Sequence, residues 1–309
     1  ARLATATRGH KLLKDKSESH ISNVDYYVAN GLKARICLVA HDYAEAAKAA
    51  EEALKKPGLK LVNVNDLGGN NSVKVADVLW GNEIIADQST HFSSFFSHMD
   101  ADAPGLYGGQ APQCISSGLY KLIPNTDARK TAWFRGILAN SGNGSAVSYC
   151  QLKFKMADYT TRTGDYLLMR AEEMILIKAE AECHQQQYAQ ARITLAQLGD
   201  LRDTDFATRL SNRVDADRYN TDTNAPLVTL MDEILFQRRL ELWGEAGRIF
   251  DLQRLGLGYT RVYEGSNHTE TVSTKNTNTG SPLFILPLPQ SELDGNENIS
   301  AGDQNPIVQ

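Results

Sequence analysis

The sequence lacks the patterns that mark several common classes of protein. Its cysteines are few and scattered, at positions 37, 114, 150 and 183, and no CxxC pair occurs. This argues against a structural zinc site and against a dense disulfide framework. No apolar stretch approaches the roughly 20 residues that a membrane-spanning helix needs. No run of Lys and Arg occurs and the net charge is -5, so nucleic acid, which requires a basic surface, is not an expected partner.

Motifs for catalysis are also missing. The seven histidines never adopt HExxH or HxH spacing, and neither a GxSxG elbow nor a Walker loop occurs. We therefore predict that the protein is not an enzyme and uses no cofactor. One loop weakly suggests calcium, although a solvated acidic loop is the simpler interpretation; its candidate ligands are His98, Asp100 and Asp102.

A segment between residues 238 and 254, RRLELWGEAGRIFDLQR, has an unusual ionic pattern. Charges of both signs recur at steps of three and four, so on one continuous helix they share a face; they are Arg238, Glu241, Glu245, Arg248, Asp251 and Arg254. Gly244 and Gly247 indicate a helix end or a close backbone contact. We interpret the stripe as a structural ion network. The alternative is a hydrolase that uses Glu241 and Glu245, but Arg238 and Arg248 are better explained as their ion-pair partners.

An internal repeat appears when Tyr43 is aligned with Tyr188. Lys33-Ala34 then falls on Lys178-Ala179, and the YAEA that begins at Tyr43 falls on the YAQA that begins at Tyr188. Each copy predicts a helix, a polar turn and a second helix, and it resembles a tetratricopeptide unit. The second copy is preceded by an apolar segment, and we predict one helix from Tyr166 to Glu182.

Helical periodicity is lost between residues 59 and 163, where Gly, Asn, Ser and aromatic residues accumulate. Short strands are predicted at Val78 to Trp80, Ile84 to Ala86 and Val147 to Phe154. Aromatic side chains exposed on loops stack on sugar rings or peptides, and the candidates for ligand binding here are Trp80, Phe92, Phe95, Tyr107, Tyr120 and Trp133. Burial is the simpler interpretation for any one of them, so the hypothesis requires only two or three to be exposed. We expect Trp80→Ala or Trp133→Ala to weaken binding.

These observations predict a mainly α fold, with tetratricopeptide-like helix-turn-helix repeats, long irregular insertions and a few short strands. A chain of 309 residues with 42% hydrophobic content can bury its own core. We expect one domain over residues 1–309. Its parts are a helical repeat at 21–57, a loop-rich candidate ligand-binding insertion at 59–163, helical repeats with the charged block at 164–257, and a loop insertion with the C-terminal tail at 258–309.

Three segments carry a family resemblance. The helix proposed for Tyr166 to Glu182 is similar to "LRLAEMYLIAAEA", and Ile234 to Arg254 is similar to "I..ERR.EL..EG.R..DL.R", both of the SusD/RagB family. The tail, FILPLPQSEL from Phe284 followed by Gln304-Asn305-Pro306, resembles that family's ending. The loop ending in Asp127-Ala-Arg129 also resembles a family signature. In the charged block Gln237 replaces the usual Glu, so a hydrogen bond is kept where an ion pair is lost.

The resemblance covers residues 21 to 57, 115 to 135 and 164 to 306, and it implies a SusD-like fold and a function. Members are lipid-anchored proteins on the extracellular face of the outer membrane in Bacteroidetes-type bacteria. They capture oligosaccharides, or in some cases peptides, for a SusC-like TonB-dependent transporter. Family members have a lipidated Cys and further helical repeats before the region that matches Asp25 to Pro57, so the resemblance implies an N-terminally incomplete or processed chain whose lipid anchor is absent here.

A second functional class remains open. Helix-turn-helix repeats also build adaptors that hold another protein's tail in a helical groove. Recovery of a soluble protein partner without a transporter would favour this tetratricopeptide-type adaptor, whereas binding of a glycan or a peptide nutrient would favour the capture hypothesis.

Overall fold

The protein is described by a computed structural model, which covers residues 16, 20–88, 94–103, 105–137, 147–221, 225–245, 247–259, 261–263, 266, 268 and 286–305. The chain forms two compact units. The first contains Ala1–Asn220 and Asn224–Glu241, and the second contains Thr221–Thr223 and Leu242–Gln309. The described residues confirm a mainly α fold with one small sheet. Among them no helix has the length and apolar character needed to cross a membrane.

The elements of the first unit follow in chain order. They are α1 (Tyr26–Val39), α2 (Tyr43–Leu54), β1 (Val78–Asn82), α3 (Phe95–Met99), α4 (Tyr107–Gln110), α5 (Ser117–Leu122), α6 (Arg129–Ala132), β2 (Tyr166–Arg170), α7 (Ala171–His184), α8 (Tyr188–Gly199), α9 (Phe206–Ser211) and α10 (Leu230–Glu241). Short 3-10 turns lie at Val64–Leu67 and Ala86–Gln88. The second unit contains α11 (Arg248–Arg254), α12 (Gln290–Gly295) and a 3-10 turn at Ala301–Asp303.

The predicted repeat is present, and both copies turn in the same way. The pairs α1–α2 and α7–α8 are each joined through a residue in the left-handed region, His41 with φ 58° and Gln186 with φ 60°. In each copy the next N–H reaches back five residues, from Asp42 to the Cys37 carbonyl and from Gln187 to the Glu182 carbonyl, both at 2.9 Å. This pattern satisfies the carbonyls at the end of the first helix.

Small residues let the helices of the first unit approach closely. Ala34 of α1 and Ala46, Ala50 and Ala53 of α2 are fully buried, and α2 packs in turn on α7. The ring of Tyr43, which begins α2, stacks on His184 at the end of α7 with centroids 4.0 Å apart. The two copies therefore form one continuous helical layer, which completes the core that neither copy encloses alone.

The prediction for the segment after residue 166 is wrong in its first five residues. Tyr166–Arg170 is a strand, and the helix begins only at Ala171. β2 pairs antiparallel with β1, Val78 opposite Arg170 and Asn82 opposite Tyr166. Leu, Met and Arg favour helices in isolation, but the hydrogen bonds to β1 outweigh that preference here.

Two further expectations about the backbone need correction. The predicted strand at Val78 to Trp80 exists and extends to Asn82, but Ile84 to Ala86 is not a strand, and the segment near Cys150 makes only isolated bridges. The charged stripe does not lie on one helix either: α10 ends at Glu241 and α11 begins at Arg248. Between them Gly244 adopts φ 76°, a conformation that a helix interior does not allow.

In the second unit, side-chain hydrogen bonds hold the C-terminal tail. The Gln304 side chain accepts from the Leu288 N–H at 2.7 Å and donates to the Leu288 carbonyl at 3.0 Å. Asn305 Nδ2 donates to the Leu286 carbonyl at 2.8 Å. The side-chain amides of Gln304 and Asn305 thus provide hydrogen-bond partners for backbone groups of the proline-rich segment before α12. In a sheet, a neighbouring strand would provide such partners. Pro306 and most of the insertion after Gly258 lie outside the described residues.

Candidate functional site

Glu241, the last residue of α10, is fully buried and lies among three arginines. Arg202 grips both carboxylate oxygens, through Nε at 3.0 Å and Nη2 at 3.2 Å. Arg129 Nη1 donates at 2.9 Å and Arg170 Nη2 at 3.3 Å. Charge-assisted bonds of this kind are the strong ones in proteins. We call this group, with the carboxylates that surround it, the arginine cluster.

The arginines come from separate elements of the first unit. Arg129 begins α6, Arg170 ends β2, and Arg202 follows α8. Each has a second acidic partner: Asp127 Oδ2 for Arg129 at 2.7 Å, Asp77 Oδ2 for Arg170 at 3.2 Å, and Glu172 Oε1 for Arg202 at 2.9 Å. Gln237 accepts from Arg129 at 2.6 Å and donates to Glu233 at 2.8 Å. The amide therefore keeps the hydrogen bond that was expected of it.

Two carboxyls of the arginine cluster respond oppositely to their burial. Burial alone would raise the pKa of Glu241, but Arg202, Arg170 and Arg129 outweigh it and hold that pKa far below its usual value. For Glu172, burial and the neighbouring carboxylates raise the pKa by more than Arg170 and Arg202 lower it. The pKa of Glu172 therefore rises to about 8. The balance between burial and the arginines thus shifts the pKa values of the two glutamates in opposite directions.

The charged residues of the stripe predicted from the sequence have different partners and lie in both units. Arg238 faces Glu180 at 3.4 Å rather than Glu241, while Asp251 and Arg254 pair with each other at 2.6 Å in the second unit. Glu245 and Arg248 also belong to the second unit. The sequence suggested Arg238 and Arg248 as partners of Glu241 and Glu245; at Glu241 the carboxylate is instead reached by Arg129, Arg170 and Arg202.

Sequence reasoning missed part of the arginine cluster. Glu241 and Gln237 belong to the charged block, and Asp127 and Arg129 to the loop signature. Arg170, Arg202, Asp77 and Glu172 were missed, because they lie far apart in the chain and no local spacing marks them. The cluster also closes the hydrolase alternative, since Glu241 has no exposed surface and three arginines occupy its oxygens. A substrate cannot reach that carboxylate.

Several ligand-binding candidates are not exposed. Trp133 is 2% exposed and its ring lies under the Lys153 ammonium, 4.7 Å from the centroid. Trp80 is half-buried, and its indole N–H donates to the Ser22 carbonyl at 3.0 Å. Tyr120 is also half-buried, with its ring 5.0 Å from Tyr149. Phe92 lies outside the described residues. Trp133 is thus a core residue, because its large apolar area is worth more buried than exposed.

The structure brings two other candidates together at the surface. Phe95 is 37% exposed and Tyr107 is 53% exposed, and they lie on α3 and α4, which pack on each other. His98, also exposed, stacks on Tyr107 with centroids 4.8 Å apart and planes only 3° apart. Tyr159, 46% exposed, donates a hydrogen bond from its hydroxyl to Asp100, the residue that follows α3. We call these four residues the aromatic platform. The sequence prediction missed His98 and Tyr159 as members.

Asp100 connects Tyr159 of this platform to the end of α3. It is fully buried and follows α3 directly; Oδ2 accepts from the Met156 N–H at 2.8 Å and from the Tyr159 hydroxyl at 2.9 Å. Burial and the Asp100 carboxylate raise the pKa of Tyr159 to about 12. Gly108 lets α4 approach, since a Cβ there would collide with the Asp100 backbone. The platform is therefore held by defined contacts rather than by loose loops.

A polar edge adjoins the platform. Asp102 lies between the guanidinium of Arg135 and the ammonium of Lys155, the latter at 3.1 Å. Burial acts to raise the pKa of Asp102, but the two cations hold it below its usual value. The oxygens of Asp100 and Asp102 are thus occupied by protein donors, and within the described ranges no group of three His, Cys, Asp or Glu residues is placed to hold a metal ion.

A comparison with family models identifies the chain. The model described as the SusD family matches residues 137–307, more than half of the sequence. The chain belongs to the SusD family. The matched residues include Arg170, Glu172, Arg202 and Glu241, so most of the arginine cluster lies within the part of this SusD-family chain that defines the family.

Solved structures agree with this SusD-family assignment. The chain is similar to a SusD superfamily protein from Bacteroides thetaiotaomicron, with 24% identity, a TM-score of 0.71 and coverage of 99% of this chain and 64% of the other. A SusD-like carbohydrate binding protein from Bacteroides vulgatus is 22% identical, with a TM-score of 0.69 and coverage of 94% of this chain and 62% of the other. Surface glycan-binding protein A from Bacteroides thetaiotaomicron is 15% identical, with a TM-score of 0.64 and coverage of 99% of this chain and 68% of the other. No curated protein matches the sequence. The chain thus spans less than two thirds of the length of the first two structures.

Proposed function

We propose that this SusD-family chain binds a glycan at the aromatic platform, without catalysis, and that the protein delivers it to a SusC-like TonB-dependent transporter. The observation that carries the proposal is the stacked pair of His98 and Tyr107, two exposed side chains whose ring planes are parallel within 3°. Stacking holds each ring in place, and the parts of the two rings that stay exposed present an ordered apolar surface. Such a surface matches the C–H face of a pyranose ring.

The contacts below the platform support binding with little loss of conformational freedom. Asp100 ties Tyr159 to the end of α3, and α4 packs directly on α3. The aromatic side chains are therefore ordered before a ligand arrives, which lowers the entropy cost of binding. The polar edge of Asp102, Arg135 and Lys155 offers donors and acceptors for sugar hydroxyls beside the apolar surface.

Relatives support a glycan over a peptide as the ligand. Two of the similar structures are named as a carbohydrate binding protein and a surface glycan-binding protein. For this chain we extend the proposal to a lipid-anchored location on the extracellular face of the outer membrane, next to the transporter. The sealed carboxylate of Glu241 supports a binding role rather than hydrolysis.

The test is calorimetric titration of the purified chain with a panel of neutral and acidic oligosaccharides and with short peptides. We expect millimolar to micromolar dissociation constants for a glycan. Tyr107→Ala should weaken binding at least about tenfold, since one stacked aromatic contributes roughly 0.5–1.5 kcal/mol beyond its area and its burial adds to this. Phe250→Ala is the matched control, because Phe250 is 56% exposed but lies in the second unit.

Three results would count against the proposal. Failure of every oligosaccharide to bind would show that the ligand is not a glycan. Equal weakening of binding by Tyr107→Ala and Phe250→Ala would show that the aromatic platform is not the binding site. Capture of a soluble protein partner in place of a transporter would favour the adaptor hypothesis instead. The transporter is tested separately, by co-purification from outer membranes with the full-length, lipid-anchored protein.

A further inference from the structure

Cys114 and Cys150 face each other across an antiparallel bridge of the first unit. The Ile115 N–H donates to the Tyr149 carbonyl at 3.0 Å, and the Gln151 N–H donates to the Gln113 carbonyl at 2.9 Å. These two hydrogen bonds lie on either side of the cysteine pair, and no backbone group of Cys114 or Cys150 takes part in them. The cysteines therefore occupy a non-hydrogen-bonded position, where opposite Cα atoms are about 4.5 Å apart and the side chains are closest.

This separation matches the geometry of a disulfide. A disulfide joins residues whose Cα atoms lie about 4.4 to 6.8 Å apart, and the non-hydrogen-bonded position falls at the short end of that range. Opposite residues of such a pair also point to the same face of the ladder. Both residues are free thiols in this structure, so the backbone already holds the two sulfurs as neighbours before any bond forms.

The two thiols differ in access to solvent. Cys114 is exposed, whereas Cys150 is fully buried. A hydrogen bond from the Cys150 thiol lowers the pKa of Cys114, and the same contact together with burial raises the pKa of Cys150. An oxidant from solvent therefore meets Cys114 first, and the lowered pKa of Cys114 increases its share of thiolate, the nucleophilic form.

We propose that Cys114 and Cys150 form a disulfide by exchange with an oxidising disulfide such as oxidised glutathione. The Cys114 thiolate attacks one sulfur of the oxidant, a mixed disulfide forms, and the other half leaves as a thiolate. Cys150 then loses its proton to solvent and attacks Cys114 Sγ, which releases the second half. In the balance two protein thiols are oxidised, one disulfide is reduced to two thiols, and the protons pass to the products or to water.

The bond would fix segments that lie beside the polar edge of the platform. The Arg135 N–H donates to the Cys150 carbonyl at 2.8 Å, and the Leu152 N–H donates to the Trp133 carbonyl at 2.7 Å. Oxidation at Cys150 therefore ties residues 113–115, 133–136 and 149–152 into one cross-linked group. The bridge closes the long segment from residue 114 to residue 150, and long loops lose the most unfolded-state entropy on cross-linking.

The other cysteines provide matched controls. Cys37 lies in α1 and Cys183 in α7, and burial is the first cause that raises the pKa of each. A Cys37→Ala/Cys183→Ala chain keeps only the proposed pair. It is equilibrated in buffers of varied glutathione disulfide to glutathione ratio, denatured at low pH, and analysed by thiol counting and by mass spectrometry of peptides without reduction.

We expect both thiols to disappear together and one linked peptide to contain Cys114 and Cys150. The melting temperature should rise by about 5 °C on oxidation and fall back with dithiothreitol. The same chain with Cys114→Ser should lose this response and keep its reduced melting temperature, since Cys114 is exposed. Glutathione that stays bound to Cys114 while Cys150 remains a thiol would overturn the proposal. So would full retention of both thiols in the most oxidising buffer.

Discussion

Arg202 meets Glu241 side-on, with Nε 3.0 Å from one carboxylate oxygen and Nη2 3.2 Å from the other. Both side chains are completely excluded from solvent. Only a guanidinium offers two parallel donors at this spacing, so lysine is not an equivalent residue at this position. The pair fixes how the end of α10 meets the loop after α8, and several consequences for stability follow.

Glu241→Gln should destabilise the first unit by about 3–5 kcal/mol. The amide fills the same space but leaves Arg129, Arg170 and Arg202 without their shared counter-charge. Urea denaturation, followed by circular dichroism, measures the change. Glu51→Gln is the control, because Glu51 is 52% exposed and surface pairs contribute little. Equal stability of the two variants would show that the arginine cluster is not structural.

Stability should fall between about pH 4.5 and pH 8 through Glu172. Its folded pKa is about 8 because burial disfavours the charged form, whereas the ordinary value is 4.5. Between these values the unfolded chain has lost a proton that the folded chain retains, so the free energy of unfolding decreases as pH rises, by at most about 1.4 kcal/mol per pH unit. Glu241 acts oppositely: its folded pKa is lowered, so its contribution is lost as pH falls below 4.5.

Glu172→Gln removes the titrating proton and should flatten this decline. Urea unfolding of both proteins at several pH values across the window gives the comparison. The difference between the two curves should grow as pH rises, in favour of the variant. Parallel curves would mean that Glu172 is ionised in the folded protein, with Arg170 and Arg202 outweighing its burial.

Trp133→Ala should act on folding rather than on recognition, contrary to the expectation from sequence. The buried ring packs under Lys153, and its removal leaves a cavity that costs about 3–5 kcal/mol. Trp133→Phe keeps most of the ring and should retain ligand affinity. Thermal melts together with glycan titration separate these effects. An unchanged melting temperature with lost affinity would place Trp133 in the binding site after all.

Gln304→Ala should loosen the tail of the second unit. The substitution removes two hydrogen bonds with the Leu288 backbone, each worth about 1 kcal/mol. Amide hydrogen exchange at Leu288 is the direct measurement, and it should become faster in the variant. Gln290→Ala is the control, since its amide contacts the side chain of Asp294 within α12 instead. Faster exchange in the control alone would contradict the assigned role.

Local patterns predicted the helical layer well, because its signals are close in sequence. The alignment of Tyr43 with Tyr188 located both turns, and the αL residues His41 and Gln186 occur at equivalent places. Strand β2 was missed because its conformation depends on pairing with β1, about 90 residues earlier. The family resemblance was confirmed by the match over residues 137–307.

The candidate site was less predictable for the same physical reason. Exposure depends on tertiary packing, which the local sequence does not show. Trp133 and Tyr107 were therefore equal candidates, yet Trp133 is buried and Tyr107 is exposed. Helical spacing suggested Arg238 and Arg248 as partners of Glu241 and Glu245, yet the arginines at Glu241 come from three other parts of the chain. Side-chain type alone gave only a weak suggestion of calcium at His98, Asp100 and Asp102, and the donors around the two carboxylates are visible only in the fold.

The arginine cluster also constrains the order in which the protein folds. Glu241 lies 112 residues after Arg129, 71 after Arg170 and 39 after Arg202, and it is the last residue of the first unit. During synthesis the three arginines therefore leave the ribosome before their common counter-charge exists. Until residue 241 emerges, the arginines can pair only with their other acidic partners, which are Asp127, Asp77 and Glu172. The charge of the three buried arginines is therefore fully compensated only when the last residue of this unit has joined the core.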